Sequence, residues 1–587
     1  MTDGSRSGGP SAEWTYDGAD RVLTYKQHSV DRIINYGYNV EGGRTSMSVE
    51  RISVPGSPWA TSYTYDATGR LDTLTDSRVG SGQFDYAWDP KGNLVTEILM
   101  PSGAKQMKIY DALARLGEIR SLDSSGVSIS RYTYTHDAAS LRKDVTLADN
   151  GKISYVYDPK RQLTGAVKDN EAAYSYSYTY DNIGNWLTGK TGQIGASPLS
   201  KTFIPNNLNQ YGQVSSVTQV HDANGSITGD GTRTFVYDQE NRLTAVAGAS
   251  FAYDGMSRRV ASGTTRYLYD GLLPIAELDS GNNYTRTVTR GLDQASGLQS
   301  AGGVGGILAT VSASVTGYYF YDGSGNVVDV LDVSNAVVAH YAYDPFGNKV
   351  GESGSYASQP YQWSTKEFDS TSGLVYYLYR FYNPKTGRWL TRDPIEEKGG
   401  ANLYAFTENN TPNWHDYLGH VKQSVDISWQ DPGDPGVPGY PGYGGIAPRP
   451  PALRKGKLEA DASASCNPRV SGVMISNWVF VYDSFFGNSV TIGLPNLKFL
   501  RAGVTETFYA ESYQLDVNVD NGKCCVETRN YKVDIHNHTV AKFGVAVPGT
   551  PWKLEIGPDE DVVVATFNIS IVFKCCDNVL TISSQQN

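Results

Sequence analysis

The sequence predicts an all-β protein, and three observations carry that prediction. The 587 residues include 41 Tyr and 62 Gly but only 6 Met, so aromatic and turn-forming residues replace the usual helix formers. A tyrosine-rich motif recurs along the first three fifths of the chain. A chain of this length also exceeds what a single hydrophobic core supports, so it needs several domains or a repeat architecture.

The recurring motif reads Y-x-Y-D-x-x-G-R/N-L, as in YTYDATGRLDTL from Tyr63. Clear copies begin at Tyr63, Tyr86, Tyr178, Phe235, Tyr319 and Tyr341, and weaker copies lie at Tyr16, Tyr36, Tyr110, Tyr134, Tyr155, Tyr253 and Tyr267. The two tyrosines of a copy point to the same face of a strand, where we expect rings of successive repeats to stack. The aspartate caps a turn, the glycine supplies a positive φ, and the next residues start a return strand. Each copy is therefore predicted to be one β-hairpin, and successive hairpins should pair edge to edge into one long sheet that coils.

The stretch 376–419 ends the array and is its densest block of aromatic, turn and charged residues. Together with residues 288–375 it contains the ordered segments YYFYDGSGNVVDVLD, AYDPFGNKVGESG, YLYRFYNPKTGRWLTRDP and NLYAFTENNTPNWHDYLG. In these segments and in the repeats, the chain resembles the YD-repeat or Rhs-type proteins, whose relatives include bacterial polymorphic toxins, ABC toxin shells and teneurins. Residues 288–419 resemble the Rhs-associated core from end to end.

The resemblance implies a strip of hairpins that spirals into a shell, with the core coiling inward as a C-terminal plug. A shell wall, meaning the coiled sheet of hairpins, would enclose little space at this length. We therefore expect a partial shell, or one completed by missing N-terminal repeats or by a further shell chain.

The resemblance also implies an aspartyl-type self-cleavage by two Asp-Pro-type motifs. Asp393 in RDPIEE matches the first motif and Asp416 in HDYLG matches the second, while Arg392 stands beside Asp393 as in the family. Two carboxyl groups that approach each other can share a proton, so that one activates water and the other donates to the scissile carbonyl group. The alternative interpretation is that both aspartates are only turn caps of the plug.

The expected scissile region is Gly419, His420 and Val421. Three positions in the two motifs and at the cut depart from the family pattern. Glu396 replaces the usual Gly of the first motif, Tyr417 replaces Pro in the second, and His420 replaces the Leu at the cut.

The sequence changes character after residue 419. The run DPGDPGVPGYPGYGG predicts a stiff polyproline II linker within residues 420–465. Residues 466–587 show about seven short alternating segments, which predict a small β-sandwich-like variable domain at the position where the family carries its cargo. Residues 1–287 are the repeat array and 288–419 the core and plug.

Candidate metal ligands in the last domain are weak. Cys524, Cys525, His536, His538, Cys575 and Cys576 are the candidates. Adjacent cysteines lack the two-residue gap of zinc knuckles, so a disulfide or buried thiols are the favoured interpretation. No toxin active-site motif is recognised there, so the chain is expected to be at most an aspartyl-type autoprotease without a cofactor.

Three functions remain open from the sequence, and the third of them is that residues 466–587 are an enzyme of unrecognised type. The first is a shell that carries its C-terminal domain as cargo and releases it by self-cleavage. The second is an uncleaved secreted or cell-surface adhesion protein, in which the tyrosine array and the β-sandwich bind a protein or glycan. The net charge of -11 argues against nucleic acid. Neither a signal peptide nor a membrane-spanning run is recognisable, although a secreted or cell-surface role is expected.

Overall fold

The computed structural model describes residues 12–419 apart from 57, 58, 81, 91 and 93, and beyond residue 422 it describes the strands given below. The chain divides into two compact units, Met1–Val421 and Lys422–Asn587. Both units are built from antiparallel strands, which confirms the predicted all-β class. The bounds predicted for the four domains remain predictions.

The first sheet of unit one is a meander of nineteen strands in which each strand pairs with the next along the chain. Its strands are β1 (Ala12–Tyr16), β2 (Val22–Gln27), β3 (Arg32–Tyr38), β4 (Arg44–Arg51), β5 (Trp59–Tyr65), β6 (Leu71–Asp76), β7 (Gln83–Trp88), β8 (Val95–Leu99), β9 (Lys105–Tyr110), β10 (Leu116–Leu122), β11 (Ser128–His136), β12 (Arg142–Leu147), β13 (Lys152–Tyr157), β14 (Leu163–Lys168), β15 (Glu171–Tyr180), β16 (Trp186–Gln193), β17 (Ala196–Pro205), β18 (Tyr211–Val214) and β19 (Val217–Thr218).

A short hairpin, β20 (Val220–His221) with β21 (Ile227–Gly229), separates this sheet from a second meander of twelve strands. These strands are β22 (Phe235–Tyr237), β23 (Leu243–Val246), β24 (Ala249–Tyr253), β25 (Arg259–Ser262), β26 (Thr265–Asp270), β27 (Leu273–Leu278), β28 (Tyr284–Arg290), β29 (Ile307–Ser312), β30 (Thr316–Tyr321), β31 (Val327–Leu331), β32 (Val337–Tyr343) and β33 (Lys349–Ser353).

The last part of unit one is a small four-stranded sheet surrounded by turns. Its strands are β34 (Glu367–Asp369), β35 (Leu374–Tyr376), β36 (Phe381–Asn383) and β37 (Arg388–Trp389). Short 3-10 turns lie at His28–Val30, Trp363–Thr365, Glu396–Gly399 and Thr407–Asn409. No helix of the described residues is long and apolar enough to cross a membrane.

The repeat motif folds as the sequence predicts, and the unit around Asp66 shows how. Oδ1 of Asp66 accepts the backbone N–H groups of Thr68 and Arg70 at 2.9 and 3.0 Å, and Arg70 Nε donates to Oδ2 at 2.8 Å. Gly69 closes the turn with a φ of 81°. Because the short carboxylate satisfies four donors of its own loop, the Thr68 hydroxyl included, the turn is fixed locally and the hairpin register follows from it.

The same loop recurs along both meanders. Where the fourth residue after the aspartate is Asn or Gln, its amide takes the place of the arginine, as in Asp158 with Gln162, Asp181 with Asn185, Asp322 with Asn326 and Asp344 with Asn348. The loop arginines of Asp17, Asp111, Asp238 and Asp254 repeat the Asp66 pattern. The Asp-x-x-Gly-Arg/Asn spacing is therefore a structural signal.

Successive hairpins are joined in many of the copies through the second aromatic residue of the motif. Tyr65 donates its hydroxyl to the carbonyl oxygen of Arg44 at 2.8 Å, and the Trp88 indole donates to Leu71 O at 2.8 Å. The Arg70 guanidinium lies over the Trp88 ring, 5.3 Å from its centroid. We expected direct ring stacking between repeats, but equivalent strands lie two strand spacings apart, roughly 10 Å, which is too far for ring contact. The arginine fills that gap instead.

Buried side chains tie the two meanders and the small sheet together. The first strands of the wall pack with Leu268, Ile275 and Phe320 of the second meander in one apolar cluster. The Trp186 indole donates to Asn409 Oδ1 at 3.0 Å, across 223 residues of chain. The tyrosines of the array are thus largely core residues of unit one.

Unit two consists of separate antiparallel sheets. The first contains β38 (Gln423–Asp431), β39 (Ala452–Ser463), β40 (Met474–Asp483) and β41 (Ser489–Gly493). The second contains β42 (Leu497–Arg501), β43 (Val504–Asp520), β44 (Val526–Ala541), β47 (Asp559–Lys574) and β48 (Val579–Gln586), and a two-stranded sheet contains β45 (Phe543–Ala546) and β46 (Lys553–Ile556). A β-sandwich remains a prediction. Strands β38 and β39 lie within the stretch predicted as a linker, and residues 432–451 between them are outside the described residues.

Candidate functional site

The two predicted aspartates lie beside one buried arginine. Arg380 stands in the turn between β35 and β36, which is closed by the Tyr377 N–H donating to Arg380 O at 3.0 Å. Arg380 Nη2 is 2.8 Å from Asp393 Oδ2 and 3.7 Å from Asp416 Oδ2. Because both distances are measured from the same nitrogen atom, the separation of the two carboxylate oxygens cannot exceed the sum of these distances. The fold therefore brings together carboxyl groups that are 23 residues apart in the sequence.

The other oxygen of each carboxylate caps its own turn. Asp393 Oδ1 accepts the N–H of Ile395 at 3.0 Å. Asp416 Oδ1 accepts the N–H groups of Leu418 and Gly419 at 3.1 and 2.6 Å. Each aspartate thus has one oxygen in a turn and one facing Arg380, so the turn-cap interpretation and the paired-carboxylate interpretation are both satisfied geometrically.

Arg380 also holds the predicted scissile region. Its Nε donates to the carbonyl oxygen of Gly419 at 2.7 Å, and Gly419 has a φ of 85°. Its Nη1 donates to Leu403 O at 3.3 Å. A guanidinium that binds a carbonyl oxygen polarises the carbonyl group and can stabilise negative charge that develops on it. The Gly419 carbonyl is therefore held by the same cation that contacts both aspartates.

Burial decides the protonation of the carboxyl groups. Asp393, Asp416 and Arg380 expose 5%, 6% and 3% of their surface. Desolvation raises the pKa of Asp416 to about 6, against the opposing effect of Arg380. Desolvation also raises the pKa of Asp393, which Arg380 again opposes. The carboxyl group nearer the arginine is the one better stabilised as an anion.

A second basic side chain, Lys366, contacts the same segment. Lys366 Nζ donates to the carbonyl oxygens of Gly302 and Tyr417 at 2.6 and 2.7 Å. A Cβ on Gly302, which has a φ of 55°, would collide with the Tyr417 carbonyl oxygen. Asp293 shapes this glycine loop by accepting the N–H groups of Ala301 and Gly303 at 2.5 and 3.2 Å. Residues 416–419 are thus held between Arg380 and Lys366.

The remaining predicted residues lie elsewhere or outside the described part. Arg392 is exposed and its side chain lies beside Gly225, so the arginine that contacts both carboxylates is Arg380. His420 and Val421 lie outside the described residues. Arg380 and Lys366 were not among the residues predicted for the site. The signal that could have found Arg380 is its position as the one charge within the aromatic run YYLYRFY.

Glu396 stands where the family motif usually has Gly, and its backbone adopts a conformation that suits glycine. Its φ is 57°, in the left-handed region that glycine adopts without a steric penalty. The Glu396 N–H donates to Asp393 O at 3.0 Å, so the turn keeps its hydrogen bond with a residue that is strained there.

The metal candidates carry no site in the described part of the chain. Cys524, Cys525, Cys575 and Cys576 lie outside the described residues, while His536 and His538 lie on β44, for which the structure describes the backbone. Within the residues described, no cluster of three or more potential metal ligands is found.

Comparison with known proteins adds the family context. Residues 141–412 match the family model described as "Teneurin YD-shell". The chain is 26% identical over 378 residues to the tRNA3(Ser)-specific nuclease WapA of Bacillus spizizenii, covering 61% of this chain and 15% of the nuclease. A segment of 60 residues is 43% identical to toxin subunit YenC1 of Yersinia entomophaga, covering 10% of this chain and 6% of that subunit.

Solved structures agree on the fold. The crystal structure of TcdB2-TccC3 superposes with a TM-score of 0.52 at 17% identity, covering 71% of this chain and 26% of that one. This chain therefore spans only a small part of the relatives that it matches.

Proposed function

We propose that this chain, a YD-repeat protein of the Rhs type, cleaves its own backbone at the Gly419–His420 bond and so separates residues 420–587 from the wall. The observation that carries the proposal is the position of Arg380. One guanidinium binds the Gly419 carbonyl oxygen at 2.7 Å and lies 2.8 and 3.7 Å from the carboxylates of Asp393 and Asp416. A structural turn would not need a buried cation that joins all three groups.

The proposed reaction is a hydrolysis that consumes one water molecule. Asp393, the carboxylate nearer to Arg380, acts as the base that takes a proton from water as the oxygen attacks the Gly419 carbonyl carbon. The Arg380 Nε–H stabilises the oxyanion that forms on the Gly419 oxygen. Asp416, whose pKa burial raises to about 6, gives its proton to the departing amine of His420. The C–N bond breaks, and a carboxylate and a free amine result.

The biological role that we propose is delivery of a cargo. The relatives include proteins named as a tRNA nuclease and as a toxin subunit. By analogy, residues 466–587 would be the effector or recognition domain, and unit one would be part of the wall that carries it outside the cell that made it. The structural relative contains two named proteins, TcdB2 and TccC3, which favours a second shell chain as a partner here.

The alternative, an uncleaved adhesion protein, has a narrower basis. It would use the tyrosine array as a binding surface, yet Tyr63, Tyr86 and Tyr178 expose 5%, 5% and 2% of their surface. The rings are core residues, so a partner on the wall would have to recognise other groups. The two turn-capping Oδ1 contacts are the observation that favours an uncleaved chain.

Intact-mass spectrometry of the purified full chain tests the proposal. We expect two species, the second beginning at His420, and only the full-length species in Asp393→Asn, Asp416→Asn and Arg380→Met. The matched control is Asp322→Asn, because Asp322 is a half-buried loop aspartate that, like Asp393 and Asp416, accepts backbone N–H groups of its own turn, from Ser324 and Asn326 at 2.8 and 3.0 Å. A single full-length species in the wild type, or cleavage that persists in both aspartate variants, would contradict the proposal. Gel filtration of the cleaved protein then reports whether the fragment stays bound.

A further inference from the structure

A cavity of about 570 Å³ lies where the first meander ends and before the second begins. Strands β18 and β19 and the β20–β21 hairpin line one side, and residues 370–373 and 383–390 of the small sheet line the other. The volume falls within the roughly 300–1,000 Å³ of small-molecule sites. It is distinct from the Arg380 site, whose three polar residues do not line it.

The lining carries an excess of positive charge. Four cationic side chains, Lys201, Arg233, Lys385 and Arg388, share it with one carboxylate, Asp230. Arg233 is neutralised by Asp230, since their Nη2 and Oδ2 atoms are 2.7 Å apart. This imbalance stands against a chain whose net charge is -11. The positive charge is therefore local to the cavity.

The other three cations lack an acidic partner. In residues 12–419 as described, no carboxylate oxygen lies within 4.0 Å of the charged nitrogens of Lys201, Lys385 or Arg388. Burying unpaired charge is unfavourable unless a counter-charge arrives, so an anion in the cavity would stabilise the buried Arg388 and the half-buried Lys201, while the exposed Lys385 would add long-range attraction.

Arg388 is held rigidly in the lining of the cavity. It is 7% exposed, and its guanidinium lies 3.9 Å from the centroid of the Tyr211 ring and 5.1 Å from that of Tyr404. Its Nη2 donates to the side-chain oxygens of Asn185 and Asn402 at 2.9 and 3.2 Å. These contacts fix the planar donor group without neutralising it, which lowers the entropy lost when an anion binds.

Lys201 is the titratable member of the set. Its Nζ donates to the backbone oxygen of Lys385 at 2.9 Å. Burial lowers the pKa of Lys201 to about 8, the charges of Lys385 and Arg233 add to the decrease, and Asp344 opposes it. An anion beside Lys201 would favour the charged amine and raise this pKa.

We propose that this cavity binds a small organic anion that carries several carboxylate or phosphate groups. Arg388 would orient one anionic group, and Lys201 and Lys385 would bind the others across the cavity. Both anion types present oxygen acceptors to the same donors, so the charged-oxygen chemistry is the claim and the test separates its two forms.

Isothermal titration calorimetry of the full chain with citrate and with pyrophosphate tests the site. We expect one molecule bound per chain, with affinity that falls as salt rises. Citrate affinity should also fall between pH 7 and pH 9, as Lys201 loses its proton while the charge of citrate stays constant. Preference for citrate or pyrophosphate identifies the carboxylate or phosphate form. Absence of heat and of saturation with both probes would overturn the proposal.

Variants locate the binding. Lys201→Met should weaken citrate at least tenfold and remove the pH dependence, whereas Lys201→Arg should retain binding. If Lys201→Met fails to fold, Lys385→Met, which changes an exposed residue, tests the same site and should also weaken citrate binding. Lys143→Met, an exposed lysine of β12 outside the cavity, is the matched control and should bind like the wild type. If Lys201→Met and Lys385→Met both bound citrate as tightly as the wild type, the binding would be an adventitious surface interaction and the proposal would be overturned.

Discussion

Lys366 Nζ lies 2.7 Å from the carbonyl oxygen of Tyr417, the residue that follows Asp416. The same nitrogen is 2.6 Å from the oxygen of Gly302, so one buried amine fixes the peptide just before the proposed cut against the glycine loop of the second meander. The position of the segment 416–419 therefore depends on a residue 50 positions upstream of Asp416.

Replacing Lys366 with Met should slow self-cleavage about tenfold, because the Tyr417 peptide loses a donor that holds it near Asp416. The rate can be followed by gel analysis of a chain made by cell-free translation. Lys143→Met is the control. An unchanged rate in Lys366→Met would show that the contact does not position the segment.

The same variant should change the pH dependence of stability. Burial lowers the pKa of Lys366 to about 7, and the nearby Arg290 adds to the decrease. Between pH 7 and 10 the unfolded chain binds more protons at this position than the folded chain, so the free energy of unfolding rises with pH. Between pH 7 and pH 9 this residue should raise the free energy of unfolding of the wild type by roughly 2 to 3 kcal/mol. Urea unfolding of Lys366→Met at the two pH values should not show this increase.

Asp416→Asn should alter stability at acidic pH with the opposite sign. Desolvation raises the pKa of Asp416 to about 6, so between pH 4 and 6 the folded state binds more protons than the unfolded one. As the pH rises from 4 to 6, the free energy of unfolding of the wild type therefore falls by roughly 2 kcal/mol, and urea unfolding at these two pH values should show a smaller fall in Asp416→Asn.

A loop aspartate serves as the control for that measurement. Desolvation opposes the change, but hydrogen bonds from Ser334 and Ala336 leave the pKa of Asp332 below its ordinary value. Asp332→Asn should therefore remove a contribution that rises with pH. A change of the same sign in both variants would contradict the assignment.

Glu396→Gly should stabilise the plug by up to about 1 kcal/mol, because it relieves the side-chain strain of a left-handed residue. The φ of Glu396 is 57°. Thermal unfolding measures the effect, and Glu397→Gly is the matched neighbour, at which glycine should not stabilise. A lower melting temperature for Glu396→Gly would show that the Glu396 side chain contributes a contact that outweighs the strain.

Asp344→Ala should destabilise unit one by about 3 kcal/mol, since it leaves buried donors without an acceptor. Asp344 Oδ1 accepts the N–H groups of Phe346 and Asn348 at 2.9 Å each, and Oδ2 accepts the N–H of Gly192 at 2.7 Å. Urea unfolding of the wild type and the variant at pH 8 measures the loss. A loss under 1 kcal/mol would mean that the loop finds other acceptors.

The sequence predicted the repeats well because their determinants are local. In the Asp66 unit, the turn is made by Asp66, Thr68, Gly69 and Arg70, all within five residues. Such spacing is visible in a single chain. The predicted ring stacking was wrong because it depends on the distance between strands, which the spacing of residues in one hairpin does not report.

The candidate site was predicted only in part for the same reason. Family resemblance pointed to Asp393 and Asp416, and the fold brings their carboxylates to one cation. Sequence adjacency pointed to Arg392, which is exposed, rather than to Arg380. Residues 376–419 do not repeat, so the contacts of Arg380 arise from tertiary folding, and no spacing rule along the chain predicts them.

Within each of the two meanders every strand pairs with the next one along the chain, and this pairing has a consequence for how the protein is made. Contacts between sequence neighbours form quickly, and a growing chain can add hairpins in the order in which the ribosome releases them. Contacts such as the one between Trp186 and Asn409 must wait until the last part of unit one has been synthesised. Arg380, Asp393 and Asp416 can therefore meet only after nearly all of the wall has emerged. The proposed cleavage of the Gly419–His420 bond would therefore have to wait until nearly all of unit one has been synthesised.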